Sequence, residues 1–217
     1  MTIAVKICGL SRPEVVQAAA TAGAAYIGFV FYAKSPRHVT PQQAAGLATQ
    51  IPASVIKCGV FVDPTDEQLD ITLAHIPLDL IQLHGTESTG RLQDIKTRFK
   101  RPVMKAIAIA GPEDITAAKP YQNYADMLLF DAKAPTSLID ALPGGNGLAF
   151  DWQLIKDSDW QLPWMLSGGL NADNLATALA VSGAKIVDVS SGVELSPGVK
   201  DIAKINAFIQ TANKDSE

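Results

Sequence analysis

The chain is poor in several things at once. Its 217 residues include 2 cysteines, 3 histidines, 6% aromatic residues and 18% charged residues. Two cysteines, Cys8 and Cys58, cannot build a disulfide framework. Histidines at 38, 75 and 84 only, in scattered contexts, argue against a zinc site. The charged fraction is below the roughly 25% usual for soluble domains. The net charge is −4 and there is no basic block, so neither a nucleic-acid partner nor an anionic membrane surface is indicated. The start, Met1–Leu10, carries Lys6 inside an apolar run and lacks the order of a secretory leader. The expected compartment is reducing and cytoplasmic.

Apolar residues, by contrast, are plentiful at 47%, which excludes a disordered chain and predicts a sizeable core. The stretch Val15–Ala33 has no charge for 19 residues, long enough to cross a bilayer. However, its alanine-rich first half, Gly23 and the β-branched and aromatic Tyr26–Phe31 read better as a helix followed by a buried strand.

Eight short apolar runs recur along the chain: Ala4–Cys8, Tyr26–Phe31, Val55–Val62, Leu80–Leu83, Val103–Ile109, Met127–Phe130, Trp164–Leu166 and Ile186–Val189. Most are continuously hydrophobic rather than alternating, as in strands covered on both faces. Helix signals lie between them. Ser11-Arg-Pro-Glu14 and Thr40-Pro-Gln-Gln43 read as capping boxes with proline in the first turn. Asp63-Pro64 and Gly111-Pro-Glu-Asp114 open two more helices. Asn171 is expected to cap Ala172–Val181, which Gly183 ends, and Pro197 and Asp201 precede a last helix over Ile202–Ala212. Strand ends recur at intervals of about 22 to 36 residues, the length of one βα unit, without a composition break. Eight such units over one domain, 1–217, fit a (β/α)8 barrel. An open doubly wound sheet is the alternative, but the first strand is followed only by Cys8-Gly9, not by a glycine-rich turn.

In a barrel, function resides in the loops after the strands. Leu166-Ser-Gly-Gly-Leu170 and Asp188-Val-Ser-Ser-Gly-Val193 offer amides and hydroxyls where barrels often hold a phosphate, so Gly168, Gly169, Ser190, Ser191 and Gly192 are candidates; the plain alternative is a pair of tight turns. Gly144-Gly-Asn-Gly147 lies in the longest connection and reads as a lid. Cys8, ending the first strand, is either a base or nucleophile or a small core residue; Cys58, inside the third, reads as core. Asp131, ending the sixth run, reads as a general acid or as a loop anchor. Arg37, in Ser35-Pro-Arg-His-Val39, has the fork for a carboxylate or phosphate, or is simply solvated. His84, ending the fourth strand, is expected on the substrate side, whereas His38 and His75 are expected at the surface. Asp188 is either functional or a core anchor. Lys6 and Lys105 lie within strands, and neither ends one, as a Schiff-base lysine would be expected to.

Taken together these residues resemble the phosphoribosylanthranilate isomerase family. The resemblance rests on Lys6-Ile-Cys-Gly9, Gly28-Phe-Val-Phe31, Ser35-Pro-Arg37, Gly59-Val-Phe-Val62, Gln82-Leu-His-Gly-Thr-Glu87, Gly144-Gly-Asn-Gly147 with Phe150-Asp-Trp152, Leu166-Ser-Gly-Gly-Leu170 and Asp188-Val-Ser-Ser-Gly-Val-Glu194. It implies a barrel that needs neither metal nor organic cofactor and performs an Amadori rearrangement in tryptophan biosynthesis. It further implies Cys8 as general base, Asp131 as general acid, Arg37 on the anthranilate carboxylate, the glycine and serine loops on the phosphate and Asp188 close by. The chain departs from the family pattern at Ala25, Phe130 and Leu148-Ala149. Another sugar-phosphate barrel enzyme, or an inactive barrel that binds a sugar phosphate, are the competing readings. Polar helix faces suit a monomer, and a homodimer stays open.

Overall fold

A computed structural model of the chain describes residues 2–134 and 143–214. Eight parallel strands close into a barrel: β1 (Ala4–Cys8), β2 (Tyr26–Val30), β3 (Ile56–Phe61), β4 (Leu80–Leu83), β5 (Val103–Ile109), β6 (Met127–Ala132), β7 (Trp164–Leu166) and β8 (Ile186–Val189). The barrel shuts where β1 meets β8, with Lys6 opposite Asp188. Helices α1 (Pro13–Ala22), α2 (Pro41–Ala48), α3 (Asp66–His75), α4 (Thr89–Phe99), α5 (Pro112–Ala118), α6 (Gln153–Lys156), α7 (Leu175–Ser182) and α8 (Ile202–Lys214) follow the strands in turn. No helix among the described residues is long and apolar enough to cross a membrane. The uncharged stretch from Val15 resolves into α1, closed by Gly23 in the left-handed region at φ 102°, and β2.

Strand geometry explains the continuous apolar runs. Successive side chains point to opposite faces. One set (Ile7, Ile27, Phe29, Ile81, Leu128, Phe130, Val187) packs under the helices, and the other (Cys8, Val30, Cys58, Val60, Leu80, Met104, Leu129, Met165) fills the barrel interior. Cys58 is fully buried there, as expected.

Several boundaries differ from the sequence reading. Ser11 does not cap α1; Arg12 does, without a side-chain cap bond, because Pro13 takes the first helical position and Glu14 pairs with the Arg12 guanidinium instead. α3 starts beyond Asp63-Pro64: Thr65 and Gln68 form its capping box, while Asp63 accepts from the Thr86 N–H across the neighbouring loop. Asn171 spends its side chain on the amides of Asp173 and Asn174, so α7 begins only at Leu175. β6 extends through Asp131 to Ala132. The last helix begins at Ile202 directly after Asp201, as expected, and upstream of it Pro197 and Gly198 make a hairpin turn. Gly198 (φ 83°) joins β9 (Glu194–Ser196) to β10 (Val199–Lys200), and a Cβ on it would sit 2.5 Å from the Pro36 carbonyl oxygen. The hairpin therefore lies directly over the loop that carries Arg37. Neither strand lysine is free for Schiff-base chemistry: Lys6 pairs with Asp188 and Lys105 with Glu87.

Candidate active site

Inward-facing parity carries β1, β4, β6 and β8 to one opening at their C-terminal ends. Cys8, Arg37, His84, Asp131, Gly168, Gly169, Asp188, Ser190 and Ser191 all line a single cavity there. Its volume is about 760 Å³, open mouth included, within the range of small-molecule sites. Gly192 is the one candidate set back from the wall. It packs against the Leu170 carbonyl so closely that no Cβ fits, which fixes the turn holding Ser190 and Ser191.

On one side, Asp131 is 5% exposed at the mouth end of β6. Its Oδ1 accepts the Ala132 N–H at 2.9 Å, and its Oδ2 lies 3.2 Å from His84 Nε2. The Gln82 amide nitrogen reaches His84 Nδ1 at 2.8 Å. An amide nitrogen only donates, so Nδ1 accepts and the ring proton sits on Nε2, directed at Asp131. His84, expected beside the substrate, thus lines the cavity as the neighbour of the acid candidate. The Gln82 Oε1 in turn faces Cys58 Sγ at 3.6 Å.

On the other side, Cys8 and Lys6 point inward from alternate positions of β1, with Asp188 beside them on β8. Lys6 Nζ donates to Asp188 Oδ1 at 2.8 Å, and Ser167 Oγ to Asp188 Oδ2 at 3.1 Å. Asp188 is therefore the anchor of an ion pair as well as part of the cavity wall. Burial pushes the Cys8 thiol up, and the Lys6 ammonium opposes that shift. Gly28 makes the room: a Cβ on it would stand 3.1 Å from Cys8 Sγ and 3.2 Å from Lys6 Nζ.

Arg37 enters from the loop after β2. Its Nε and Nη2 donate to the two oxygens of Glu194 at 2.8 and 2.9 Å, and Nη2 also donates to the Gly145 carbonyl at 3.2 Å. Gly9 (φ 79°) lets the stem pass, because a Cβ there would come within 2.8 Å of Arg37 Cδ. Lys200 completes the cluster, donating to Glu194 Oε1 at 2.7 Å and to the Ser190 carbonyl at 2.9 Å. The hairpin thereby ties the arginine to the serine loop. Sequence reasoning meets Glu194 only as the last residue of the Asp188–Glu194 block, with no role, and does not reach Lys200.

The rest of the rim is built from small residues. Gly168 (φ 87°) and Gly169 (φ 63°) have left-handed backbones, and their amides meet no acceptor among the described residues. Ser191–Val193 is a single 3-10 turn, whose first N–H groups have no partner within the turn itself. The segment Gly144–Gly147, expected as a lid, crosses the cavity: Cβ atoms on Gly144 and Gly145 would meet Asp131 Oδ2 at 2.7 Å and Arg37 Nη1 at 2.6 Å. Residues 135–142 of that connection lie outside the described residues. No group of three His, Cys, Asp or Glu side chains among the described residues could hold a metal ion.

A thiol and a carboxyl facing one open cavity can move protons to and from a bound molecule, and amide-rich turns at the rim suit an anion. The class is an acid–base enzyme built on a (β/α)8 barrel. Residues 5–211 match the family model described as N-(5'phosphoribosyl)anthranilate (PRA) isomerase. An N-(5'-phosphoribosyl)anthranilate isomerase of Paracoccus denitrificans is 53% identical over 98% of each chain. The crystal structure of phosphoribosyl anthranilate isomerase from Thermotoga maritima superposes with a TM-score of 0.87 at 35% identity, covering 98% of this chain and 99% of that one. A further isomerase structure, in complex with reduced 1-(o-carboxyphenylamino)-1-deoxyribulose 5-phosphate, matches at a TM-score of 0.83 and 33% identity over 98% and 99% of the two chains. The chain belongs to the phosphoribosylanthranilate isomerase family.

Proposed function

We propose that the chain converts N-(5'-phosphoribosyl)anthranilate to 1-(o-carboxyphenylamino)-1-deoxyribulose 5-phosphate, in tryptophan biosynthesis, with Cys8 as general base and Asp131 as general acid. The observation that carries this reading is spatial. Two proton-transfer groups 123 residues apart in sequence line the same cavity, with an arginine and two amide-rich turns at its rim.

A protonated Asp131 delivers its proton to the ribose ring oxygen. The C1′–O bond breaks, and the nitrogen lone pair forms an iminium. The iminium acidifies C2′–H, and the Cys8 thiolate removes that proton, leaving an enolamine. The cycle closes when the Cys8 thiol returns a proton to C1′ and Asp131 recovers one from the 2′-hydroxyl as the ketone forms. Protons balance, and no electron leaves the substrate. Arg37 holds the anthranilate carboxylate through Nη1, the nitrogen not engaged with Glu194. Gly168, Gly169, Ser190 and Ser191 hold the phosphate, with Gly192 shaping their turn. Fixing both ends places C1′ and C2′ between acid and base. All these groups come from one chain, so a monomer has a complete site.

The test follows the loss of substrate anthranilate fluorescence, using chemically generated substrate. Cys8→Ala and Asp131→Asn should each lower kcat by about 10²-fold or more while a product analogue still binds. Near-normal turnover in either variant removes that residue from its role. Analogue binding without any turnover in the unaltered chain would favour an inactive sugar-phosphate-binding barrel.

A further inference from the structure

We propose that Lys6 is a positioning residue for this reaction: its buried ammonium, moored by Asp188, stands beside Cys8 and favours the thiolate form of the base against the cost of its burial. The inference rests on the assignment of Cys8 as general base. It starts from a charge the mechanism does not use. Lys6 is 0% exposed in the barrel interior, and its Nζ donates to Asp188 Oδ1 at 2.8 Å. A buried ion pair is poor mortar, since well-packed hydrocarbon of the same volume is often as stable or more so. Apart from its partner Asp188 and from Gln82, which bonds His84 and faces Cys58, the residues around Lys6 in the barrel interior are apolar or small, so packing does not call for a lysine.

The position of Nζ is what matters. Lys6 and Cys8 are two residues apart on one strand, so their side chains project from the same face. Both converge on the Cα hydrogens of Gly28, whose missing side chain would sit within about 3.2 Å of each terminal atom. An ammonium has three protons and no acceptor role. One is used on Asp188, and a thiolate at Cys8 can take another.

The remaining charges near Cys8 have been placed. Asp188 on β8 opposes the thiolate, and Lys200 on β10 favours it while being tied to Glu194. Cys58 on β3 is buried and pushed up to about 12, so it stays a thiol near neutral pH. The phenols of Tyr26 and Tyr32 pack against the same interior cluster. The Arg37 stem passes against Gly9 with its fork turned to Glu194, and Asp131 and His84 line the same cavity as Cys8. Burial works against the Lys6 ammonium, but the opposite charge of Asp188 and the hydrogen bond to it outweigh that cost, holding Lys6 protonated. Lys6 therefore transfers nothing during turnover: the proton leaves C2′, binds sulfur and is handed on to C1′, while the ammonium stays as it is.

The experiment measures alkylation of Cys8 by iodoacetamide as a function of pH, read on the Cys8 peptide by mass spectrometry, beside the pH profile of kcat/KM. Lys6→Met removes the ammonium, so alkylation at pH 7 should be about tenfold slower or more than in the parent, a factor equal to one unit on the pH axis, and the alkaline-favoured limb of the profile should move to higher pH. The double variant Lys6→Met, Asp188→Asn leaves no buried charge unpaired, so it should fold even if Lys6→Met alone does not, and its Cys8 should also be alkylated more slowly than the parent's. A rate in the double variant equal to or above the parent's overturns the proposal. Full turnover in Cys8→Ala would instead strike at the base assignment, and would leave the alkylation difference standing.

Discussion

Glu194→Gln isolates the cluster that links the two substrate anchors. Arg37, Glu194 and Lys200 form a nearly dry triad: the side chains of Arg37 and Glu194 are 6% and 4% exposed, and that of Lys200 is 2%. Removing one partner of a buried ion pair typically costs about 3–5 kcal/mol, because the survivor is left uncompensated. Glutamine keeps an acceptor for Arg37, and Lys200 keeps the Ser190 carbonyl at 2.9 Å, so the low end, about 3 kcal/mol, applies. For a domain of this size about 1 kcal/mol moves the midpoint by roughly 2–4 °C, giving a fall in Tm of about 6–12 °C at pH 7 by circular dichroism. The acid dependence is a second, independent check. Burial raises the Glu194 carboxyl, but the hydrogen bonds and charges of Arg37 and Lys200 outweigh it, so the folded state titrates below the usual glutamate range. A depressed carboxylate contributes its stability above the unfolded value, about 4.3, and loses it as pH falls through the folded value. The gap between parent and variant should therefore be constant from pH 7 to 5 and shrink below about pH 4. Activity should follow the geometry: KM rises because Arg37 loses its orienting partner, while kcat falls less. A Tm within about 2 °C of the parent, or a gap that does not narrow in acid, refutes the reasoning.

Arg37→Ala should raise KM for the substrate by about tenfold or more with little change in kcat, since it removes an anchor present in both ground and transition states; steady-state kinetics that leave KM unchanged would put the carboxylate elsewhere. Gly145→Ala should be costly to binding while leaving thermal stability nearly intact. The new Cβ would lie 2.6 Å from Arg37 Nη1 on a left-handed backbone at φ 75°, so either the arginine or the segment above it must move. A KM and a Tm that both match the parent would show that this segment does not rest on Arg37 in solution.

The eight strands were legible because strands covered on both faces read as unbroken apolar runs, and glycines such as Gly23 and Gly183 marked where helices stop. Helix starts were less legible for a local reason. Ser11, Asp63 and Asn171 each have side chains able to cap, but neighbouring donors and prolines decide which residue does. Within the site, Cys8, Asp131 and the small-residue turns could be found because the barrel rule singles out strand ends. Gln82 and Lys6 were within reach by parity alone, two residues before His84 and Cys8 on the same strand face. That Asp188 would be the partner of Lys6 was not, because the pair spans 182 residues and exists only once the barrel shuts. Glu194 and Lys200 were hidden because nothing local announces the hairpin at Pro197-Gly198, and without it nothing brings them over Arg37.

The pairing pattern says how the cavity divides affinity from orientation. The two lysines and the arginine around it are each moored by a carboxylate: Lys6 by Asp188, Arg37 and Lys200 by Glu194. A substrate with a carboxylate at one end and a phosphate at the other therefore meets no bare cation among the described residues lining the cavity. On the proposed binding mode its carboxylate meets the guanidinium nitrogen that Glu194 leaves over, in a direction Glu194 has already fixed, and its phosphate meets neutral amides and hydroxyls at 168–169 and 190–191. Such contacts are worth less as attraction than an unpaired arginine would be, but their directions are set before the substrate arrives, and that is the condition for positional catalysis. It also explains why the moorings, which touch no substrate, should matter to kinetics. Loosening Glu194 frees the arginine to swing, and loosening Asp188 changes the charge that Cys8 experiences, so the two kinds of variant should separate cleanly into effects on KM and effects on the pH profile.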